Sequence, residues 1–318
     1  MRSWSALLLL ALVGYSTPAV AEGQRPIAEL IKQYSLPDSK FVEFDGARVH
    51  YVEEGEGPVV LLLHGSYYSL REWGEWSKEL SRNFRVIRMD RLRFGLTQNF
   101  PDGEVSYPRE QDLVEGFVKA LGLTRFSLAG ASSGGIVAAQ YAERHPEQVE
   151  RLILFNFPLG HARITGSEDL RQMSEENLKR GWQYPEFSEL QLKANLVDHS
   201  RITPELVQRM TDFANRVDPI QASRTAFTAA AAFGEQERAA ILGRLKMPVL
   251  VLWSEKNRTL PLEDGRAAFA AIGSAQKKFT VARNIGHAAP IEGGRATAKA
   301  ARTFFRGGWP PASIGEGK

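Results

Sequence analysis

Phe126-Ser127-Leu128-Ala129-Gly130-Ala131-Ser132-Ser133-Gly134-Gly135-Ile136-Val137 decides how the rest of the chain is read. Apolar alternation gives way at Gly130 to the helical spacing of Ile136, Tyr141 and Ala142, so the stretch predicts a short buried strand that turns at once into a helix. Ser132 falls on the corner. A residue there is forced into a strained backbone conformation that lifts its hydroxyl clear of the sheet. Strand and helix pass so closely that the positions two before and two after it tolerate little besides glycine. Gly130 and Gly134 hold those positions. The pattern alone arises by chance in about one chain in ten of this length, so its surroundings must carry it. Ser133, between Ala131 and Gly135, repeats the pattern one residue later, but an alanine crowds the turn more than Gly130 does.

On both sides of this turn, strands and helices alternate. Residues 41–52 alternate apolar and polar around Asp45-Gly46, which predicts an edge hairpin. Val59-Val60-Leu61-Leu62-Leu63 runs without a polar break, as expected of a strand covered on both faces. A helix over 73–80, a strand over 84–89, a helix over 111–121, strands over 126–131, 152–155, 248–253 and 278–281, and a closing helix over 295–305 complete the series. The expected fold class is α/β, with a mainly parallel eight-stranded sheet flanked by helices. Residues 158–245 break the alternation, with helical periods such as 167–180, 203–216 and 222–232 and no buried strand. An all-helical insertion of this kind is expected to form a cap over the strand ends, where ligands of open α/β sheets bind; a peripheral elaboration is the alternative.

The expected organisation is a signal peptide over 1–21, a core over 22–157 and 246–310, the helical cap over 158–245 and a flexible Gly/Pro-rich tail over 311–318. The basic start at Arg2, the apolar run from Ala6 to Val13 and the small-x-small ending Ala19-Val20-Ala21 predict export with cleavage after Ala21, hence a secreted or periplasmic protein. That run is shorter than the ~20 apolar residues of a membrane span, so no stable anchor is expected. With 40 basic and 37 acidic residues and no basic cluster, nucleic acid is not an expected partner. The chain has no cysteine, which excludes disulfides, thiol catalysis and thiolate-bound metals. No metal or cofactor is expected. Trp182, Tyr184, Phe187, Phe213, Phe227 and Phe233 in the insertion suggest a small, partly apolar substrate, although such residues are more often core.

With Leu63-His64-Gly65-Ser66, the turn at Ser132, 248–253 and Gly286-His287 in view, the chain resembles an α/β-hydrolase of the helical-cap group. That group includes esterases, carbon–carbon bond hydrolases, haloalkane dehalogenases and cofactor-free haloperoxidases. The resemblance implies that backbone N–H groups of Ser66 and Ser133 form an oxyanion hole, with His64 fixing a turn rather than acting as base. His287, on the loop after the last strand, is the expected proton acceptor for Ser132, which would attack a carbonyl and be released from an acyl-enzyme by water. A dehalogenase would need an aspartate where Ser132 stands.

The resemblance also implies an acid to orient His287, usually a few residues past 248–253. Asn257 occupies that position, and the alternative seat used by some relatives holds Asn156. An amide oxygen can accept the imidazole N–H but cannot offset imidazolium charge. Three readings follow: Asn257 orients the base in a slow or specialised hydrolase, Glu255 substitutes for it, or the fold has become a ligand-binding or sensory protein. Arg93 stands where relatives commonly carry glycine; it would line the pocket mouth and favour an acidic substrate, or simply be a solvated surface arginine.

Overall fold

Nine strands make one sheet in the computed structural model, which describes residues 22–159, 168–217 and 234–315. They are β1 (Ser39–Phe44), β2 (Ala47–Glu54), β3 (Val59–Leu63), β4 (Arg85–Met89), β5 (Phe126–Ala131), β6 (Val149–Phe155), β7 (Val249–Ser254), β8 (Lys277–Ala282) and β9 (Ser313–Ile314). The spatial order is β1-β2-β4-β3-β5-β6-β7-β8-β9; pairings from β3–β4 onward are parallel, and β2 is antiparallel to both β1 and β4. Asp45 and Gly46 close the β1–β2 hairpin with φ of 50° and 79°, the pair of left-handed residues that a two-residue hairpin requires.

The central strands split their side chains between two cores. Leu61, Leu63, Leu128, Leu152, Leu154, Val249, Val251 and Trp253 enter one cluster, and Val60, Leu62, Ala129, Ile153, Phe155, Leu250 and Leu252 the other. Period-two alternation of wholly apolar sequence is what a sheet covered on both faces needs. The sheet has one strand more than expected: Ser313 and Ile314 pair with Val281 and Ala282. Backbone bonds from Val281 N to Ala312 O (2.9 Å) and from Arg283 N to Ile314 O (2.9 Å) hold this part of the chain, which the Gly/Pro content had suggested was a loose tail.

Helices α1 (Ile27–Tyr34), α2 (Gly74–Leu80), α3 (Tyr107–Ala120) and α4 (Ser133–Arg144) belong to the first half of the chain. Between β6 and β7 lie α5 (Glu168–Arg180), α6 (Pro185–Asn195) and α7 (Pro204–Ala214), then a helix over Glu235–Arg244. Thr203 caps α7, its hydroxyl accepting from Leu206 N at 3.2 Å, and prolines open α6 and α7 where a missing N–H costs nothing. This segment is tied to loops at the carboxyl ends of the parallel strands. Asn195 O accepts from Ala288 N, Asn195 Oδ1 accepts from Thr259 Oγ1, and Arg216 donates to the carbonyls of Gly95 and Thr97. The expected signal peptide, the expected helix over 222–232, His161, Phe227 and Phe233 lie outside the described residues.

The turn at Ser132 fixes the core's geometry. A Cβ on Gly134 would stand 2.4 Å from the carbonyl oxygens of both His64 and Leu63, and one on Gly130 would stand 2.3 Å from the carbonyl oxygen of Gly134. Neither has room for a methyl group. Gly243, by contrast, is exposed near the end of its helix, and its Cβ would meet only an ordinary contact at 3.8 Å. Gly134→Ala should therefore lower unfolding free energy by about 1–3 kcal/mol or more, whereas Gly243→Ala should be neutral or raise it by up to ~1 kcal/mol. Urea denaturation of both variants checks the pair; equal effects would contradict the packing described.

Candidate active site

Ser132 has φ 50° and ψ −126°, a conformation that costs a non-glycine residue on the order of 1–3 kcal/mol and persists only where the surroundings impose it. Here they do, because its N–H is bonded to Phe155 O at 2.8 Å while α4 starts at the next residue. Its hydroxyl lies 2.9 Å from His287 Nε2, across 155 positions of sequence. His287 follows β8 on a loop held from below, since Gly286 N donates to the buried Glu292 carboxylate, which also takes the N–H groups of Val197 and Asp198. Glu292 thus joins the histidine loop to the end of α6. Its role had no signal in sequence, where it reads as one more glutamate in a helical turn.

The second imidazole nitrogen finds Asn257. His287 Nδ1 is 3.2 Å from Asn257 Oδ1, and the same oxygen accepts from Thr259 N at 3.1 Å and Leu260 N at 2.9 Å. Two backbone donors fix which end of the amide faces the ring, so Nδ1 carries the proton and Nε2 is free to accept from Ser132. Asn257 is 6% exposed, and its Nδ2 is buried with no hydrogen-bond partner among the described residues. No carboxylate bonds the ring among the described residues. Desolvation accordingly lowers the His287 pKa to about 4 with no opposing charge.

The two other acid seats are turned to different work. Glu255 is exposed and accepts from Asn284 N at 3.1 Å, so it is not the ring's partner. Asn156, 1% exposed with φ 44°, accepts from Ser254 N at 2.8 Å and donates through Nδ2 to Ser254 Oγ at 2.8 Å and to His287 O at 2.9 Å. Both ends of its amide are used. A carboxylate there could not donate to the His287 carbonyl, which gives the asparagine a structural reason.

Ser66 and Ser133 are side by side, their hydroxyls 2.8 Å apart. Ser133 is the first residue of α4, where backbone N–H groups have no intrahelical acceptor and the helix dipole favours negative charge. Behind them is Arg91, fully buried, whose Nη1 donates to Ser133 Oγ at 2.9 Å and His64 O at 2.6 Å while Nε pairs with Glu110 at 2.7 Å. Sequence reasoning missed Arg91, because a charged residue just past a strand reads as solvent-facing. His64 Nε2 accepts from Arg91 N at 3.0 Å and its Nδ1 donates to Gly65 O at 2.7 Å. Desolvation, reinforced by Arg91, lowers its pKa to about 4, so it braces the turn as a neutral ring.

Arg93 has φ 66°, which explains why a glycine is easy to accommodate at this position. Its guanidinium lies 4.6 Å over the Phe94 ring, and its Nε is buried without a hydrogen-bond partner among the described residues. Of the insertion aromatics, Phe187 and Phe213 are buried, whereas Tyr184 is exposed and packs edge-on against Trp182 at 4.6 Å.

The arrangement sets the Ser132 hydroxyl against an imidazole nitrogen that can accept its proton, and comparison with known proteins shows which family the fold belongs to. The family described as alpha/beta hydrolase fold matches residues 58–294. The 2-hydroxy-6-oxo-6-phenylhexa-2,4-dienoate hydrolase of Comamonas testosteroni is 27% identical over 253 residues, covering 77% of this chain and 86% of that protein. A 2-hydroxy-6-oxononadienedioate/2-hydroxy-6-oxononatrienedioate hydrolase of Pseudomonas putida is 29% identical over 281 residues, 80% of this chain and 92% of its own. Among solved structures, a thermophilic esterase from Thermogutta terrifontis superposes with a TM-score of 0.69 at 25% identity, covering 84% of this chain and 98% of that one. Strand order, sharp serine turn and family match converge on one statement: the chain belongs to the alpha/beta hydrolase fold family, and the relatives and the neighbour it is similar to are named as hydrolases and an esterase.

Proposed function

We propose that the protein is a cofactor-independent serine hydrolase that cleaves a small ester or a related carbonyl compound through an acyl-enzyme. The observation that carries this reading is the 2.9 Å contact between Ser132 Oγ and His287 Nε2. His287 takes the hydroxyl proton as Ser132 Oγ bonds to the substrate carbonyl carbon, and the carbonyl electrons move onto oxygen. The N–H groups of Ser66 and Ser133 stabilise that oxyanion, and the Arg91 cation behind Ser133 adds to the field. The imidazolium returns its proton to the leaving group, and a water deprotonated by His287 then cleaves the acyl-serine bond. The relatives' named substrates carry an oxo group, and the esterase neighbour acts on esters by its name, so both classes of carbonyl fall within the reading.

Asn257 orients the ring in this mechanism without supplying charge. A neutral partner leaves the imidazolium unsupported in each proton transfer, so turnover is slow for the architecture. The same absence of a carboxylate favours a second reading, in which the pocket binds a ligand and has lost turnover.

Ser132→Ala should lower kcat/KM for p-nitrophenyl acetate on the order of 10⁴-fold or more with the thermal transition unchanged. Full activity in that variant would overturn the serine mechanism, and no activity in the native protein would favour the binding reading. Asn257→Asp adds a charge about one hydrogen bond from the ring, where its stabilisation of imidazolium is of order a few kcal/mol. It should raise kcat/KM on the order of 10²-fold at neutral pH. The pH profile gives the sign independently. Catalysis needs neutral His287, whose pKa is lowered to about 4, so native activity should persist into the acid range and fall only as pH approaches that value. The new carboxylate favours the charged ring and raises its pKa, so the acid limb of Asn257→Asp should move to higher pH. An unmoved limb would mean that residue 257 does not face the base.

A further inference from the structure

Beside the serine site, a cleft of about 340 Å³ opens between α7 and the turn of 3-10 helix over Leu70–Trp73, a volume in the range of small-molecule sites, about 300–1,000 Å³. Three arginines reach it from separate elements. Arg71 comes from the 3-10 turn, Arg209 from α7 and Arg201 from the segment before α7. Arg201 is held by Asp198 at 3.3 Å and Ile291 O at 2.9 Å, and Arg71 donates to Tyr34 O at 2.7 Å.

Arg209 has no ion pair and no hydrogen bond among the described residues. The acid closest to it along α7, Asp212, is already engaged by Arg25 at 2.8 Å and by the Tyr34 hydroxyl. Arg85, Arg88 and Arg91 each have a glutamate partner, buried Arg216 donates to three backbone carbonyls and Arg93 lies over the Phe94 ring, whereas the Arg209 guanidinium in its partly desolvated wall has none of these partners among the described residues. Burial lowers the Arg209 pKa and the neighbouring Arg71 charge lowers it further, an electrostatic cost that an anion would remove.

The acids in the lining do not supply that anion. Glu72 is buried, accepts from Gly65 N at 3.1 Å and has its pKa raised by desolvation to about 8, so it is largely uncharged at neutral pH. Glu75 is exposed at the rim and forms no ion pair among the described residues. The Tyr68 hydroxyl, also in the lining, is buried with no hydrogen-bond partner among the described residues. Facing these polar groups are the apolar side chains of Leu206, Met210, Phe213 and Ile291.

We infer that this cleft is a second binding site, distinct from the serine centre, for a small organic carboxylate carried on an apolar body. The carboxylate takes the Arg71 and Arg209 guanidinium groups, whose planar donors match it, together with the Tyr68 hydroxyl, and the apolar body lies against α7. Tyr68 is the partition between the two sites. Its ring is 3.6 Å from where a Cβ on Gly65 would be, and that same point is 3.2 Å from Ser132 Cβ. It belongs to one apolar cluster with Met210 of α7 and with Ala288, next to His287. A ligand here would bridge α7 to the core.

The test is calorimetric titration of the full-length protein with benzoate and, in parallel, with inorganic phosphate. Saturable benzoate binding is expected, unchanged in Ser132→Ala, weakened about tenfold or more in Arg209→Gln and Arg71→Gln, and tighter than phosphate because phosphate lacks the apolar body. Arg209→Gln should also raise the ligand-free melting temperature, since it removes an unpaired charge. Absence of saturable benzoate binding, binding retained in both glutamine variants, or phosphate bound as tightly as benzoate would overturn the assignment. Loss of benzoate binding in Ser132→Ala would also overturn it, by moving the ligand into the serine site. Because Ser132→Ala carries the expected binding without turnover, failure here and failure of the serine mechanism give different results.

Discussion

Everything at the reactive centre follows from one close approach of backbone to backbone. The end of β5 and the start of α4 are so near each other, and so near the turn after β3, that side chains at 130 and 134 would run into carbonyl oxygens at 2.3–2.4 Å. Ser132 is the residue caught in the bend, and its positive φ is the conformational consequence. The strain at one serine is offset by the burial of strands on both faces of the sheet, where two apolar clusters meet the same strands from opposite sides. Once the bend is fixed, α4 begins at Ser133, whose hydroxyl meets that of Ser66 at 2.8 Å.

Charge in this region is distributed in an unusual way. The His287 ring has a neutral amide partner, while the Ser133 hydroxyl is backed by a buried guanidinium balanced by Glu110. Asn257 and Asn156 are both asparagines at acid seats, yet the structure gives them different reasons. Asn156 uses donor and acceptor together to bind β7 and the His287 carbonyl. Asn257 uses only its oxygen, and among the described residues its buried nitrogen has no partner, a loss on the order of 1–3 kcal/mol. An unsatisfied group of this kind is retained more readily where it serves a site than where it serves only the core.

Much of this was legible in the sequence because the signals were local or had few competitors. The unbroken apolar runs at 59–63 and 248–253 announced buried parallel strands, Asp45-Gly46 announced a hairpin, and glycines two before and two after a serine announced the bend. His287 could be singled out because, of six histidines, it alone follows the strand read over 278–281. What sequence could not reveal were contacts made by ordinary residues across long separations. Arg91 is indistinguishable by type from an exposed arginine until its burial is known, and Glu292 from any helical glutamate. Ser313–Ile314 is too short for a periodic signal and is a strand only because β8 leaves an open edge beside it. Glu255 was one residue type among several near the acid seat, and only the direction of its side chain separates it from Asn257.

Reactivity of the Ser132 hydroxyl requires its activation by the His287 ring 2.9 Å away. The most direct measurement is mass-spectrometric mapping of the native protein after reaction with a fluorophosphonate. One adduct per chain, carried by the peptide that contains Ser132 and absent when His287 is replaced by alanine, is the predicted result. A natively folded protein that takes no adduct, or takes it at Ser133 or elsewhere, would contradict the account.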